Sequence, residues 1–159
     1  MRRTLLLPVR AVIDTDVMRA GIRSRHRPEY RCLQLLGQGW VVPLVVPAMF
    51  LEYEEVLSRP ETLEATGLTQ TDVANFLTGL AAFIEPVLID FNWRPLLPDP
   101  GDDMIANCAI NGMAHCVVTN NVRHLRMIEQ RFGIPVLEPR PFVEQVERAI
   151  GVARGHKEE

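Results

Sequence analysis

With 159 residues and a formal net charge of −3, the chain has room for one α/β domain with a substantial core, and not for two ordinary ones. The mild negative charge excludes tight, non-specific attraction to nucleic acid in bulk, so any such affinity has to come from local patches. No apolar stretch approaches membrane-spanning length, and Cys32, Cys108 and Cys116 are odd in number and lack metal-site spacing, which argues against a membrane span, a disulfide framework and a zinc site.

The opening M-R-R-T-L-L-L-P-V-R starts like a secretory leader, but Pro8, Arg10 and Asp14 interrupt the apolar run, so a reducing cytoplasm is the expected setting. Ala11 to Asp14 is predicted as a short buried strand, built on β-branched Val12 and Ile13 with Asp14 at its carboxyl end. Residues 19–27, which carry Arg19, Arg23, Arg25 and Arg27, read as a basic exposed connection. Pro28 opens a helix through Leu36 that stops at Gly37 and Gly39. Val41 to Val46 is a second strand, and Pro43 argues that it lies at an edge.

Pro47 begins a helix with Met49, Phe50, Tyr53, Val56 and Leu57 as its apolar stripe and Glu52, Glu54 and Glu55 as carboxylates; Pro60 ends it. A further helix starts at Thr69 or Thr71 and carries Val73, Phe76, Leu77, Leu80, Ala81 and Ile84 at helical spacing. Pro86 to Asp90 reads as a third strand, followed by a loop with Trp93, Pro95 and Pro98. Pro100 and Gly101 form a turn, and Asp102 is placed to cap a helix whose inner face holds Met104, Ile105, Cys108, Ala109 and Gly112. Cys116 to Thr119 is an apolar, β-branched run that fits a strand covered on both faces.

Asn121 then caps a helix with Val122, Leu125, Ile128 and Phe132, ending at Gly133; Ile134 to Leu137 is the last strand, and Phe142, Val143, Val146 and Ile150 mark a closing helix. Residues 1–150 are expected to form one domain, with 151–159 as a fraying tail. This alternation calls for a parallel sheet covered by helices on both faces, with its site beyond the carboxyl ends of the strands. Asp14, Thr119 and Asn121 belong at that edge, whereas Asp102 reaches it only if its helix tilts or the preceding loop bends.

Asp14, Asp16, Glu52, Glu55, Asp99, Asp102 and Asp103 all adjoin apolar elements. Converging carboxylates repel one another unless a cation or a proton intervenes. Hard Mg²⁺ or Mn²⁺ prefers oxygen ligands and brings a water that can act as nucleophile, a combination suited to phosphodiester hydrolysis. Asp14 is the strongest single candidate, since an acid directly after a buried strand is desolvated unless something pairs with it. Asp99 and Asp102 can equally be turn and cap residues, and Glu54 and Glu55 a solvated helix face. The arginines at 19, 23, 25 and 27 can hold nucleic-acid phosphates or be a solvated surface. His115 and His124, each alone, read as packing or surface groups.

Four segments in order, V-I-D-T-D-V, L-E-Y-E-E-V-L-S-R-P, D-P-G-D-D-M-I-A-N-C-A and V-V-T-N-N-V-R-H-L, give the chain from Val12 to about Phe142 a pattern that resembles the PIN-domain ribonucleases, especially the VapC-like toxins of toxin–antitoxin pairs. The resemblance implies a three-layer α/β/α sandwich around a mainly parallel sheet of about five strands, dependence on Mg²⁺ or Mn²⁺, cleavage of RNA, an antitoxin partner and possible homodimers. Residue by residue, it puts Asp14, Glu52, Asp102 and Asn121 in the catalytic positions, with Asp14 and Asp102 as the metal ligands. Thr119 matches the family's threonine, Asp16 stands where asparagine is usual, and Asp99 and Asp103 are supporting acids. Asn121 carries no charge where the family often has aspartate, so one metal is expected rather than two.

Two other readings compete. A haloacid-dehalogenase-like phosphatase would share D-T-D and G-D-D, but it needs a lysine before the second element, and the sole lysine is Lys157. The other is a catalytically weak or inactive PIN fold that acts by binding a partner, a reading supported by Asn121.

Overall fold

A computed structural model of the chain describes residues 5–91 and 96–157; Trp93 and Pro95 lie outside them. The chain begins with β1 (Val9–Ile13), followed by α1 (Thr15–Arg23), α2 (Pro28–Gly37) and β2 (Val41–Val45). Three helices come next, α3 (Pro47–Leu57), α4 (Pro60–Thr66) and α5 (Gln70–Ala81), leading to β3 (Glu85–Pro86). Then α6 (Pro100–Asn111), β4 (Cys116–Val118), α7 (Val122–Phe132), β5 (Val136–Leu137) and α8 (Pro139–Gly155) complete the fold.

The five strands are all parallel, in the order β3-β2-β1-β4-β5. The chain steps outward from β1 through β2 to β3, crosses back to the far side of β1 as β4, and steps out again to β5. The direction of winding therefore reverses between β1 and β4, where Ala11 is aligned with Cys116 and Ile13 with Val118. On one side of the sheet α1 packs on α2 and α2 on α8, while α6 and α7 pack together; right-handed crossovers put these two groups on opposite faces. The result is an α/β/α sandwich.

The core follows from this layering. Val9, Ala11, Val12, Ile13, Cys116, Val117 and Val118 are all fully buried, as a central parallel pair between two helical layers must be. Leu125, Ile128, Phe142 and Val146 close over them from the helices, and burying each such large side chain contributes about 1.5–3 kcal/mol. The three cysteines are free and buried in this core, where burial pushes each thiol up to about 12. Among the described residues, no helix is long and apolar enough to cross a membrane.

Several local expectations change. Residues 19–23 of the expected 19–27 connection belong to α1, because Val17, Met18 and Gly21 bury one face of that helix while Arg19 and Arg23 keep the other in water. Pro43 lies in an inner strand, not an edge; β3 flanks β2 only at Leu44 and Val45, so at Pro43 no ladder on that side loses an N–H. That third strand is two residues long and starts at Glu85. Pro60 opens α4 as well as ending α3. Helix α8 continues through Gly155, so residues 151–155 are helical where a fraying tail was expected. Arg154 there lies 6.0 Å from the centre of the Trp40 ring, a contact that helps hold the last turn.

Candidate active site

Asp14 follows the last residue of β1 and occupies the N-cap position of α1, yet its side chain does not cap that helix. Its Oδ2 instead accepts a hydrogen bond of 2.8 Å from Thr119 Oγ1, across the β1–β4 switch point. Thr119 is fully buried, and the same hydroxyl oxygen accepts from the Asn121 backbone N–H at 3.0 Å. One threonine thus locks the acid of one strand end to the loop after the other.

Glu52 comes from α3, and its Oε2 accepts from Thr15 Oγ1 at 2.8 Å, so the residue beside Asp14 aims the second acid. Tyr53, the next residue, is fully buried and donates its hydroxyl to the Ile13 carbonyl, which fixes α3 against the end of β1. Nothing in the spacing of the sequence singles out Thr15 or Tyr53 for these roles.

The third acid reaches the site because a parallel crossover helix starts at the carboxyl edge of the sheet and runs back; α6 needs no tilt. Its cap is Asp99, not Asp102. Asp99 Oδ1 accepts from the Gly101 and Asp102 N–H groups at 2.8 and 3.1 Å, with Pro100 preset in the first helical position. Asp102 is thereby released from capping, and its Oδ2 lies 3.8 Å from His124 Nδ1 at the start of α7. A Cβ placed on Gly101 would lie 3.8 Å from Glu52 Oε1, which shows how closely the α3 carboxylate faces this turn.

Asp103 belongs elsewhere. It is buried, and its Oδ1 accepts from the Leu96 and Leu97 N–H groups at 2.8 and 3.3 Å, tying down the approach to α6. Asp16 stands in the first turn of α1, where its Oδ2 accepts from Asn121 Nδ2 at 3.2 Å and its Oδ1 from Arg19 at 3.3 Å. Asn121 holds the N-cap position of α7, but its side chain makes no cap bond. Glu55 pairs with Arg59 on an exposed face, and His115 accepts from the Arg10 backbone N–H at 3.1 Å, so both are structural. Of Arg19, Arg23, Arg25 and Arg27, Arg19 is the one that touches the acids among the described residues; Arg23 is about 13 Å from Asp14 along α1 at 1.5 Å per residue.

The electrostatics follow from this crowding. Burial pushes the Asp14 carboxyl up to about 6, Asp16 and Asp102 add to the shift, and the Thr119 hydroxyl and Thr15 backbone oppose it. Partial burial also raises Asp102, with Asp99, Asp16 and Glu52 adding to it and His124 opposing. Among the described residues, no three His, Cys, Asp or Glu side chains form a ready-made cage for an ion. A cation that keeps most of its own waters and needs one or two carboxylates still suits this all-oxygen cluster, and Mg²⁺ is such a cation. A cleft of about 1080 Å³ elsewhere, lined by His115, Glu129, Glu144 and Arg148, contains none of these acids.

Carboxylates gathered over the winding reversal of a parallel sheet define a class of α/β/α proteins with their chemistry at the carboxyl edge of the strands. Within that class the chain belongs to the PIN-domain family, whose model matches residues 10–123 and so takes in Asp14, Glu52, Asp102 and Asn121. The fold is of the nuclease type, which leaves the phosphatase reading without support. No curated protein matches the chain.

Proposed function

We propose that this PIN domain is a Mg²⁺- or Mn²⁺-dependent endoribonuclease that hydrolyses RNA phosphodiester bonds, acting in the cytoplasm as the toxin of a toxin–antitoxin pair. The observation that carries the reading is Asp14, a mostly buried carboxyl pushed up to about 6 beside Asp16 and Asp102, whose charged form a divalent cation would stabilise. Asp14 and Asp102 would hold that cation, which supplies an activated water and offsets the charge developing on the phosphate. Glu52, aimed by Thr15, takes up a proton from the attacking water. Asn121 directs its amide at Asp16 and keeps its carbonyl oxygen for orienting a water. Arg19, and further out Arg23, Arg25 and Arg27, attract the RNA backbone. An antitoxin placing a basic side chain among the acids would silence the site, and a second copy of the chain is a further candidate partner.

Purified protein should cleave RNA with Mg²⁺ or Mn²⁺ and lose that activity with EDTA or as Asp14→Asn; equal cleavage by the pure variant would refute the assignment. Growth arrest on expression of the wild type but not of Asp14→Asn, relieved by the product of the adjacent reading frame, tests the toxin role. The uncharged Asn121 favours one other reading, a PIN protein that only binds partners. Calorimetry separates the two, since a site without catalytic metal takes up no Mn²⁺ specifically.

A further inference from the structure

Two of the arginines that do not touch the acids, Arg23 and Arg25, lie at and just beyond the other end of α1. Arg23 and Arg25 are exposed, and among the described residues neither has an ion pair or a side-chain hydrogen bond, although the chain is net acidic. Both line a cleft of about 470 Å³ between α1, α2, the end of α4 and α5, within the size range of small-ligand pockets. Its walls offer the rings of Tyr30 and Phe76, the Gln34 amide and the Thr66 hydroxyl. Thr66 donates to the Thr62 carbonyl at 2.9 Å and accepts from the Leu68 backbone N–H at 3.2 Å, which leaves its oxygen one further lone pair as an acceptor.

We propose that this cleft is a nucleobase-binding subsite for single-stranded RNA, with a base against Tyr30 and Phe76 and the flanking phosphates on Arg23 and Arg25. Aromatic faces beside unpaired cations suit single-stranded nucleic acid, which presents π-faces and phosphates alternately. Guanidinium forks grip phosphate oxygens in pairs, while Gln34 and Thr66 can meet the polar edge of a base. Helix α1 sets the spacing. From its N-cap Asp14 to its last residue Arg23 is about 13 Å, or about four nucleotides at 3.4 Å per stacked step. A strand cut at the acids therefore reaches the cleft a few nucleotides from the break, and the cleft selects which sequences are cut efficiently.

This inference rests on the ribonuclease reading, but its test is a binding measurement that does not need cleavage. A fluorescent single-stranded RNA is titrated with Asp14→Asn protein in EDTA over a series of salt concentrations, with and without Arg23→Ala/Arg25→Ala. Two lost phosphate contacts should weaken Kd at least tenfold and reduce the slope of log K against log salt by about 1.4. Arg→Lys at both positions should restore most of the slope, because a point charge suffices for counterion release. Tyr30→Leu should weaken binding without changing the slope, and Tyr30→Phe should bind like the parent. In the wild-type background, Arg23→Ala/Arg25→Ala should raise KM and spare kcat. If the double variant binds RNA with the parent's Kd and slope, the subsite is refuted even where Asp14-dependent cleavage is intact. Arginine-dependent binding by a protein that never cleaves would instead uphold the subsite and overturn the nuclease reading.

Discussion

Thr119 does more at the site than its size suggests. Among the described residues its hydroxyl is the one side-chain donor holding Asp14 towards its charged form, and it also ties down the Asn121 backbone. Thr119→Val keeps the shape and removes the donor, so the Asp14 carboxyl should move further up. The acidic limb of the pH–rate profile should then shift to higher pH, while Thr119→Ser should leave it in place. An unchanged profile in the valine variant would show that Thr119 serves packing alone. Asp14 has its own consequence for stability. Its carboxyl sits at about 6 in the fold against an ordinary 3.8, so between these values the folded state binds more protons than the unfolded chain. Stability of the metal-free protein therefore falls as pH rises through that window, and the loss is complete above about pH 6. At about 1.4 kcal/mol per pKa unit, Asp14→Asn should stabilise the metal-free protein by up to about 3 kcal/mol at pH 7.5 and by almost nothing near pH 3. Denaturant unfolding in EDTA at the two pH values measures this; a gap independent of pH would contradict it. Adding Mn²⁺ should raise the Tm of the wild type and not of the variant.

At the scale of elements, the junction between loop and helix decides where the third acid stands. Asp99 caps α6 so that Asp102 does not have to. Asp99→Ala should cost about 1 kcal/mol of stability and, by loosening the first turn, reduce activity more than the stability loss explains. Asp99→Asn keeps the acceptor and should retain both, as thermal unfolding and RNA cleavage of the two variants would show. The sequence points to this helix start but not to which acid caps it, because both lie within one turn and only the backbone geometry decides which oxygen meets the free N–H groups. Helix α1 was hidden for a different reason. Its exposed face carries Asp16, Arg19 and Arg23, and its buried face is built from Thr15, Val17, Met18 and the side-chain-free Gly21, too small a stripe to stand out from a basic loop. The two central strands are legible, since Val12, Ile13, Val117 and Val118 form continuous β-branched runs, whereas the two-residue β3 at Glu85–Pro86 is too short to carry a pattern. Asp14 and Thr119 could be placed with them, directly at their ends. His124 could not, as nothing in its spacing points to Asp102.

Across the whole molecule, Asp14, Asp102 and Asn121 come from the ends of three elements and Glu52 from the middle of α3, and the sheet order brings them together. The strands adjoining Asp14 and Thr119 are neighbours in space, yet these two residues are 105 positions apart in the chain. Contacts of such separation form late, because the entropy of closing a long loop must be met before the contact contributes. Strand β1 is made first and ends in the centre of the sheet, where one of its two flanks stays bare until β4 arrives. During synthesis or refolding the β2 side can zip early through the register of Val9 with Val41, but Thr119 cannot reach Asp14 before β4 docks. The protein should therefore pass through a stage with helices and half a sheet but no competence to cleave. In a stopped-flow refolding experiment, far-UV signal should recover ahead of nuclease activity, with activity following the slowest phase. Recovery of both together would show that the two halves of the sheet assemble in one step. The winding reversal that creates the crevice should thus also act as a timer, leaving a newly made chain without an assembled acidic site until its last third has folded.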